Sequence, residues 1–293
     1  MRDSASTTDS LAYEKVRETW QTLDQWRERV SEPFEPDPEC NLAIDDEDWP
    51  PMPVSQVAWA GLAAASDHLQ AIRVHLDPPR GTALNLFPFA QFTLSRSALI
   101  GACQAVWVLA PEERAQRLLR SRTVNQGTMS EHLKYLQHLR GAAPSPHKGT
   151  DVITAHVKQR LSELNAIRMA AGERGRLNVT AMVKEAATAT PDLNADHVAS
   201  VVASWRQGSA AAHGFHWAPL GGHDARQPTP EELATPTGAA ENAELAPHSS
   251  GGSMVDLAEN YLAAHVIARH GWRLLERRNS APNRLSSPAR RAT

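Results

Sequence analysis

This 293-residue sequence predicts an all-α fold: an irregular multi-helix bundle with long loops and disordered termini. Three observations predict it. Alternation of apolar and polar residues at period two, the mark of a half-buried strand, is nearly absent. Apolar residues recur instead at helical spacing in most long segments. The abundant residues are alanine, leucine, arginine and glutamate, all good helix formers.

Taken in order, Leu11, Val16, Trp20, Leu23, Trp26 and Val30 mark a first amphipathic helix. Residues 31–53, SEPFEPDPECNLAIDDEDWPPMP, break it. They carry eight acidic residues, no basic one and several prolines, which reads as an exposed linker or a partly ordered strap. A second helix runs from Val54 to Asp77 and stops at Pro78-Pro79, because proline disfavours helical geometry in the residue before it. A third, from Pro88 to Ala110, is apolar enough to be central. The next, from Pro111 to Arg140, is expected to break near Asn125-Gln126-Gly127, and APSPHKG is a loop. Helices follow over 150–172 and 178–188, then over 195–213 with Asn194 as N-cap. Residues 218–252, rich in Gly, Pro, Thr and His, read as a long loop. Ser253, with Asp256 three residues on, opens a last helix through ERR, and the final residues read as a disordered basic tail. The expected organisation is therefore an N-terminal helix and acidic linker (1–53), a helical domain with a 218–252 insertion (54–278) and the tail (279–293).

Composition narrows the function classes. A net charge of −3 argues against a dedicated nucleic-acid coat protein but allows a local basic patch. Cys40 and Cys103 are too far apart to suggest a disulfide framework and fit a reducing compartment. No apolar run of signal-peptide type opens the chain, and ALIGACQAVWVLA is short enough for a buried core helix. A cytoplasmic protein is expected. The phosphate loops of nucleotide enzymes and the G-x-S-x-G elbow of serine esterases are absent from the sequence.

The stretch with most chemistry is WRQGSAAAHGFHW, residues 205–217. Arg206 and His213 lie seven residues apart, nearly on one helical face with Ser209 and Ala210 between them. Histidine moves protons near neutral pH, and arginine supplies a permanent planar cation suited to phosphate. Together they can cleave a phosphodiester without a metal or other cofactor, His213 as acid or base and Arg206 as clamp. Continuous helix would hold the two about 10 Å apart along the axis, with Arg206 leaning away. Convergence then needs a helix loosened at Gly208, or two copies facing each other in a homodimer. The dimer is the preferred route. Gln207, Ser209 and His216 are expected to support the site by orienting RNA or the histidine. A plainer reading is that His213-Gly214 is an ordinary helix end.

The Arg206-Gln207, GSAAA, His213 pattern resembles the HEPN superfamily of helical ribonucleases. The arrangement is also similar to a group of actinobacterial helical proteins, in which a helix like SRSALIGACQAVWVLA, opening on an arginine (here Arg96), precedes a helix end like SAAAHG. The resemblance covers about residues 55–275 but rests on a short motif. It implies a metal-independent endoribonuclease, acting as a dimer in toxin–antitoxin or phage-defence roles, with an antitoxin-like protein partner. One departure is plain: where the related pattern has a glutamate four residues after the arginine, this chain has Ile100.

Other constellations are weaker. His213, His216 and His223 with Asp224 could ligate zinc, yet the spacing matches no established helix pair, and no metal site is expected. His68 and His75, like His132 and His138, read as surface histidines. Arg114, Arg117, Arg120 and Arg122 form a basic stripe; the first three are candidates for RNA phosphate contact. The last 25 residues hold seven arginines against one acid, Glu276, a tail able to grip RNA or the acidic segment. Of the eight tryptophans, Trp20, Trp59, Trp107, Trp205 and Trp272 occupy apolar positions and read as core. The leading expectation is an RNA-binding protein that cuts RNA at Arg206 and His213. The alternative is a non-catalytic helical module that binds another protein.

Overall fold

A computed structural model describes residues 2–77, 86–142, 148–218 and 253–280. Among them there are ten α-helices and no strand: α1 (Arg2–Arg17), α2 (Trp20–Arg29), α3 (Asn41–Asp46), α4 (Val54–Leu76), α5 (Pro88–Leu109), α6 (Arg114–Ala142), α7 (Lys148–Ala170), α8 (Val179–Thr188), α9 (Ala195–Ala212) and α10 (Met254–Asn279). The all-α multi-helix fold is as the periodicity predicts. The expected 218–252 insertion and basic tail, including His223 and Asp224, lie almost wholly outside the described residues.

The most apolar helix is the central one. α5 packs against α4, α10, α9, α8 and α6, and its longest apolar window, long enough to cross a membrane, is 61% buried inside the protein. Where α4 and α5 cross, both contribute glycine. A Cβ on Gly61 would lie 2.5 Å from the Gly101 carbonyl oxygen, so the two backbones are in direct contact. Gly271 lets α10 close on Leu62 of α4 in the same way. One continuous core results, running from Ala12 and Val16 through Leu62, Leu99 and Val106 to Tyr261 and Leu275.

Two elements differ from expectation, and a third takes one of the two forms expected of it. The first helix is two, broken at Glu18-Thr19. There the buried Thr19 hydroxyl binds the Val16 carbonyl at 2.7 Å and the Tyr261 hydroxyl at 2.6 Å. That tertiary tie, with a backbone bond from Thr19 to Val16, tightens the chain into a turn that periodicity does not reveal.

The acidic segment is a strap rather than an exposed linker. Cys40 caps α3 by accepting from the Ala43 N–H at 3.2 Å, and Cys40, Leu42 and Trp49 are buried. Asp45 and Asp48 take the strap to α6, where arginines neutralise them.

The expected break near Gly127 is absent: α6 runs through it unbroken. A lone glycine costs a helix only about 1 kcal/mol. The buried Asn125 side chain spends its donor on the Met52 carbonyl at 2.9 Å rather than on its own helix.

Candidate functional site

α9 carries the residues that sequence reasoning selected. Asn194 caps it in a reciprocal box with His197, so its start is where expected. Its end is a complete Schellman motif. Phe215 N–H donates to the Ala210 carbonyl and Gly214 N–H to the Ala211 carbonyl, with Gly214 at φ +69°. The plainer reading of His213-Gly214 as helix punctuation is therefore correct for the backbone, and it leaves the His213 imidazole exposed at the C-cap.

The helix is continuous from Ala195 to Ala212, so Gly208 does not loosen it, and of the two routes to convergence that one is closed. Gly208 does something else. A Cβ there would lie 2.5 Å from the Arg96 Cβ and 2.7 Å from the Phe92 carbonyl oxygen. Glycine is what allows α9 to lie directly on α5. Arg206 and His213 consequently stay two turns apart, and within one chain they are not brought to one point. Both are exposed, and Arg206 has no ion pair or hydrogen bond among the described residues.

The close approach at Gly208 delivers a different arginine. Arg96, on α5, donates from Nε to the Ser209 hydroxyl oxygen at 2.8 Å. Its two terminal nitrogens have no hydrogen-bond partner among the described residues. Ser209 and His213 are one helical turn apart on a shared face, and a helical side chain leans toward the N-terminus. The Arg96 guanidinium is thus held at Ser209, and the exposed imidazole of His213 follows Ser209 by one turn of α9. Sequence reasoning singled out Arg96 within the central helix but gave it no site role. Its partner is 113 positions away, and no local spacing encodes that contact; the only signal was the paired SRSAL and SAAAHG segments.

Gln207 is committed to the fold at both ends of its amide. Nε2 donates to the Ala218 carbonyl at 2.9 Å, and Oε1 accepts from Asn260 on α10 at 3.0 Å. It staples the turn after α9 back onto the bundle. His216 is exposed beside that staple.

The arginine stripe of α6 is not free for phosphate. Arg117 is only 4% exposed; it grips Asp45 through Nε at 2.6 Å and Nη2 at 3.1 Å, and also donates to the carbonyls of Pro111 and Glu112. An RNA contact at Arg117 is ruled out by that burial. Arg114 pairs with Asp45 and donates to the Ile44 carbonyl. Arg120 stacks on Trp107, bonds the Trp107 carbonyl and pairs with Glu185. Arg122 joins Asp48 and Glu173. The stripe's positive charge holds the strap and the α7–α8 loop in place, which a composition count of α6 cannot foresee.

Among the described residues no group of three or more His, Cys, Asp or Glu could hold a metal ion. His132 and His138 are exposed as expected, whereas His75 is half-buried against the Phe87 ring. Trp272 is buried, and Trp20, Trp59, Trp107 and Trp205 pack against the core. No family model, no curated protein and no solved structure matches this chain.

Proposed function

We propose that the chain binds RNA on the α5–α9 face and cleaves it without a metal, with His213 as the proton-transferring group and Arg96 as the phosphate clamp. The observation that carries this reading is the Arg96–Ser209 bond, which fixes a guanidinium with two unused nitrogens one helical turn from an exposed imidazole.

The chemistry follows from those groups. His213 removes the proton from a ribose 2′-hydroxyl, and the oxygen attacks the adjacent phosphorus. The bond to the 5′-oxygen of the next nucleotide breaks, and that oxygen leaves protonated, with exposed His216 nearby in sequence as a second proton carrier. Arg96 offers charge-assisted hydrogen bonds to the phosphate as negative charge gathers on it. Arg206, about 10 Å along the helix axis, meets a neighbouring phosphate of the same strand instead of the scissile one. This assignment replaces the single-helix Arg206–His213 pair while keeping both residues on the RNA path; a homodimer placing Arg206 against a partner's His213 is the competing arrangement. The biological setting this chemistry fits is a cytoplasmic toxin or defence ribonuclease restrained by a protein partner.

The test is incubation of purified protein with RNA in EDTA. Cleavage giving 2′,3′-cyclic phosphate and 5′-hydroxyl ends, lost in Arg96→Ala and His213→Ala, supports the reading. Intact RNA with the wild-type protein removes it. The exposed Phe215 and Trp217 favour a second reading, a non-catalytic surface that docks another protein; it is preferred if RNA is neither bound nor cut.

A further inference from the structure

We infer that Phe215 and Trp217 form a base-stacking platform that confines the α9 site to unpaired RNA strands, an inference that rests on the RNA reading above.

The two side chains are anomalous for this protein. All eight tryptophans lie among the described residues, and seven are buried or half-buried. Trp217 is the exception, at 46% exposure, and Phe215 is 52% exposed. Both sit in a turn that the structure over-determines. Gly214 and Phe215 bond back to α9, Ala218 N–H donates to the Phe215 carbonyl at 3.0 Å, and the Gln207 amide, itself held by Asn260, donates to the Ala218 carbonyl from the bundle side. Ala218, one residue beyond, is fully buried. Both residues therefore sit on a fixed scaffold: the Phe215 ring lies 5.8 Å from that of His213 at a 34° tilt, and Trp217 follows two residues on in the same anchored turn.

Charge decides what such rings would accept. From Leu86 to Ala110 and from His197 to Ala218 the sequence has no aspartate or glutamate. α5 and α9 instead present Arg96 and Arg206 with unused donors. Asp256 and Glu259 of the adjoining α10 are engaged within the protein. Aromatic faces beside unopposed cations suit a ligand that alternates flat apolar rings with anionic links, which describes a single nucleic-acid strand. A duplex hides its base faces within the stack and leaves these rings without a partner.

The experiment measures binding of full-length protein to three fluorescein-labelled probes: oligoadenylate, the same backbone carrying abasic sites, and oligoadenylate annealed to oligouridylate. The wild-type protein is expected to bind oligoadenylate about tenfold or more tightly than the abasic strand or the duplex. Phe215→Ala and Trp217→Ala each weaken oligoadenylate binding about tenfold and leave abasic binding unchanged, while Trp217→Phe restores most of it. Arg96→Ala weakens all three probes. Equal wild-type binding of the three probes, unaffected by the two alanine variants, overturns the platform while RNA binding stands. If the wild-type protein binds none of them, both the platform and the RNA reading fall.

Discussion

His265 is buried with its ring stacked 5.0 Å from Trp26 and 6.3 Å from Tyr261, and its Nε2 has no hydrogen-bond partner in the described structure. Burial, with Arg269 adding to it, pulls its pKa from the ordinary 6.5 down to about 4. The unfolded chain takes up a proton there at higher pH than the folded one does. Stability from this group is thus complete above about pH 6.5 and lost as pH falls toward 4, to a total of about 3 kcal/mol. Denaturant unfolding between those pH values should show that loss, and His265→Phe should flatten it. A second residue-scale expectation concerns Arg117. Removing its side chain takes the two-point partner from Asp45, itself 1% exposed, and leaves that buried carboxylate only Arg114, at 3.2 Å. Arg117→Ala should cost about 3–5 kcal/mol in chemical denaturation, whereas a free RNA-contacting arginine at the surface would cost almost nothing. Nothing in the local sequence separates Arg117 from its neighbours in the stripe; the difference lies in Asp45, 72 positions earlier.

Helix crossings set the rules at the level of elements, and glycines report them. Gly101→Ala puts a methyl group against the Gly61 carbonyl and should destabilise by about 1–3 kcal/mol, because backbone cannot rotate away as a side chain can. Gly127→Ala is the contrast. Its added carbon meets only Leu177, at 3.7 Å, so the gain in helix propensity, about 1 kcal/mol, should appear as a higher melting temperature. Gly208→Ala belongs with the first. It drives α9 off Arg96 and Phe92, and should break the Arg96–Ser209 bond and, with it, the RNA cleavage proposed above. Existence and position of α4, α5, α8, α9 and α10 were legible from apolar spacing, prolines and caps such as Asn194 and Ser253, since these are local signals. The break at Thr19, the persistence of α6 through Gly127 and the docking of the strap were not, since each depends on a partner distant in the chain: Tyr261, Met52 and the α6 arginines. The candidate site divides the same way. His213 at a helix end could be read directly, and the arginine that meets its helix could not.

Across the whole molecule, packing is uneven. α5 is surrounded by five helices, whereas α7 packs chiefly against α6 alone, with Val152, Ile153 and Met169 exposed along it. The α6–α7 hairpin should therefore exchange its amide hydrogens well before α5 and α10 do. The ionic cluster of Asp48, Arg122, Arg168 and Glu173 ties the base of the hairpin to the strap and the α7–α8 loop, so protection should rise toward that end. Hydrogen exchange followed by mass spectrometry checks both expectations; uniform protection along α7 would contradict them.

The reading of function turns on which arginine works with His213. Its most direct test is single-turnover RNA cleavage in EDTA by the wild-type protein and the Arg96→Ala, Arg206→Ala and His213→Ala variants. The expected result is a loss of about 100-fold or more in rate for Arg96→Ala and for His213→Ala. Arg206→Ala should weaken binding while leaving the rate on saturating RNA near that of wild type. Cleavage that survives loss of Arg96 or His213, or RNA left intact by the wild-type protein, would contradict the account.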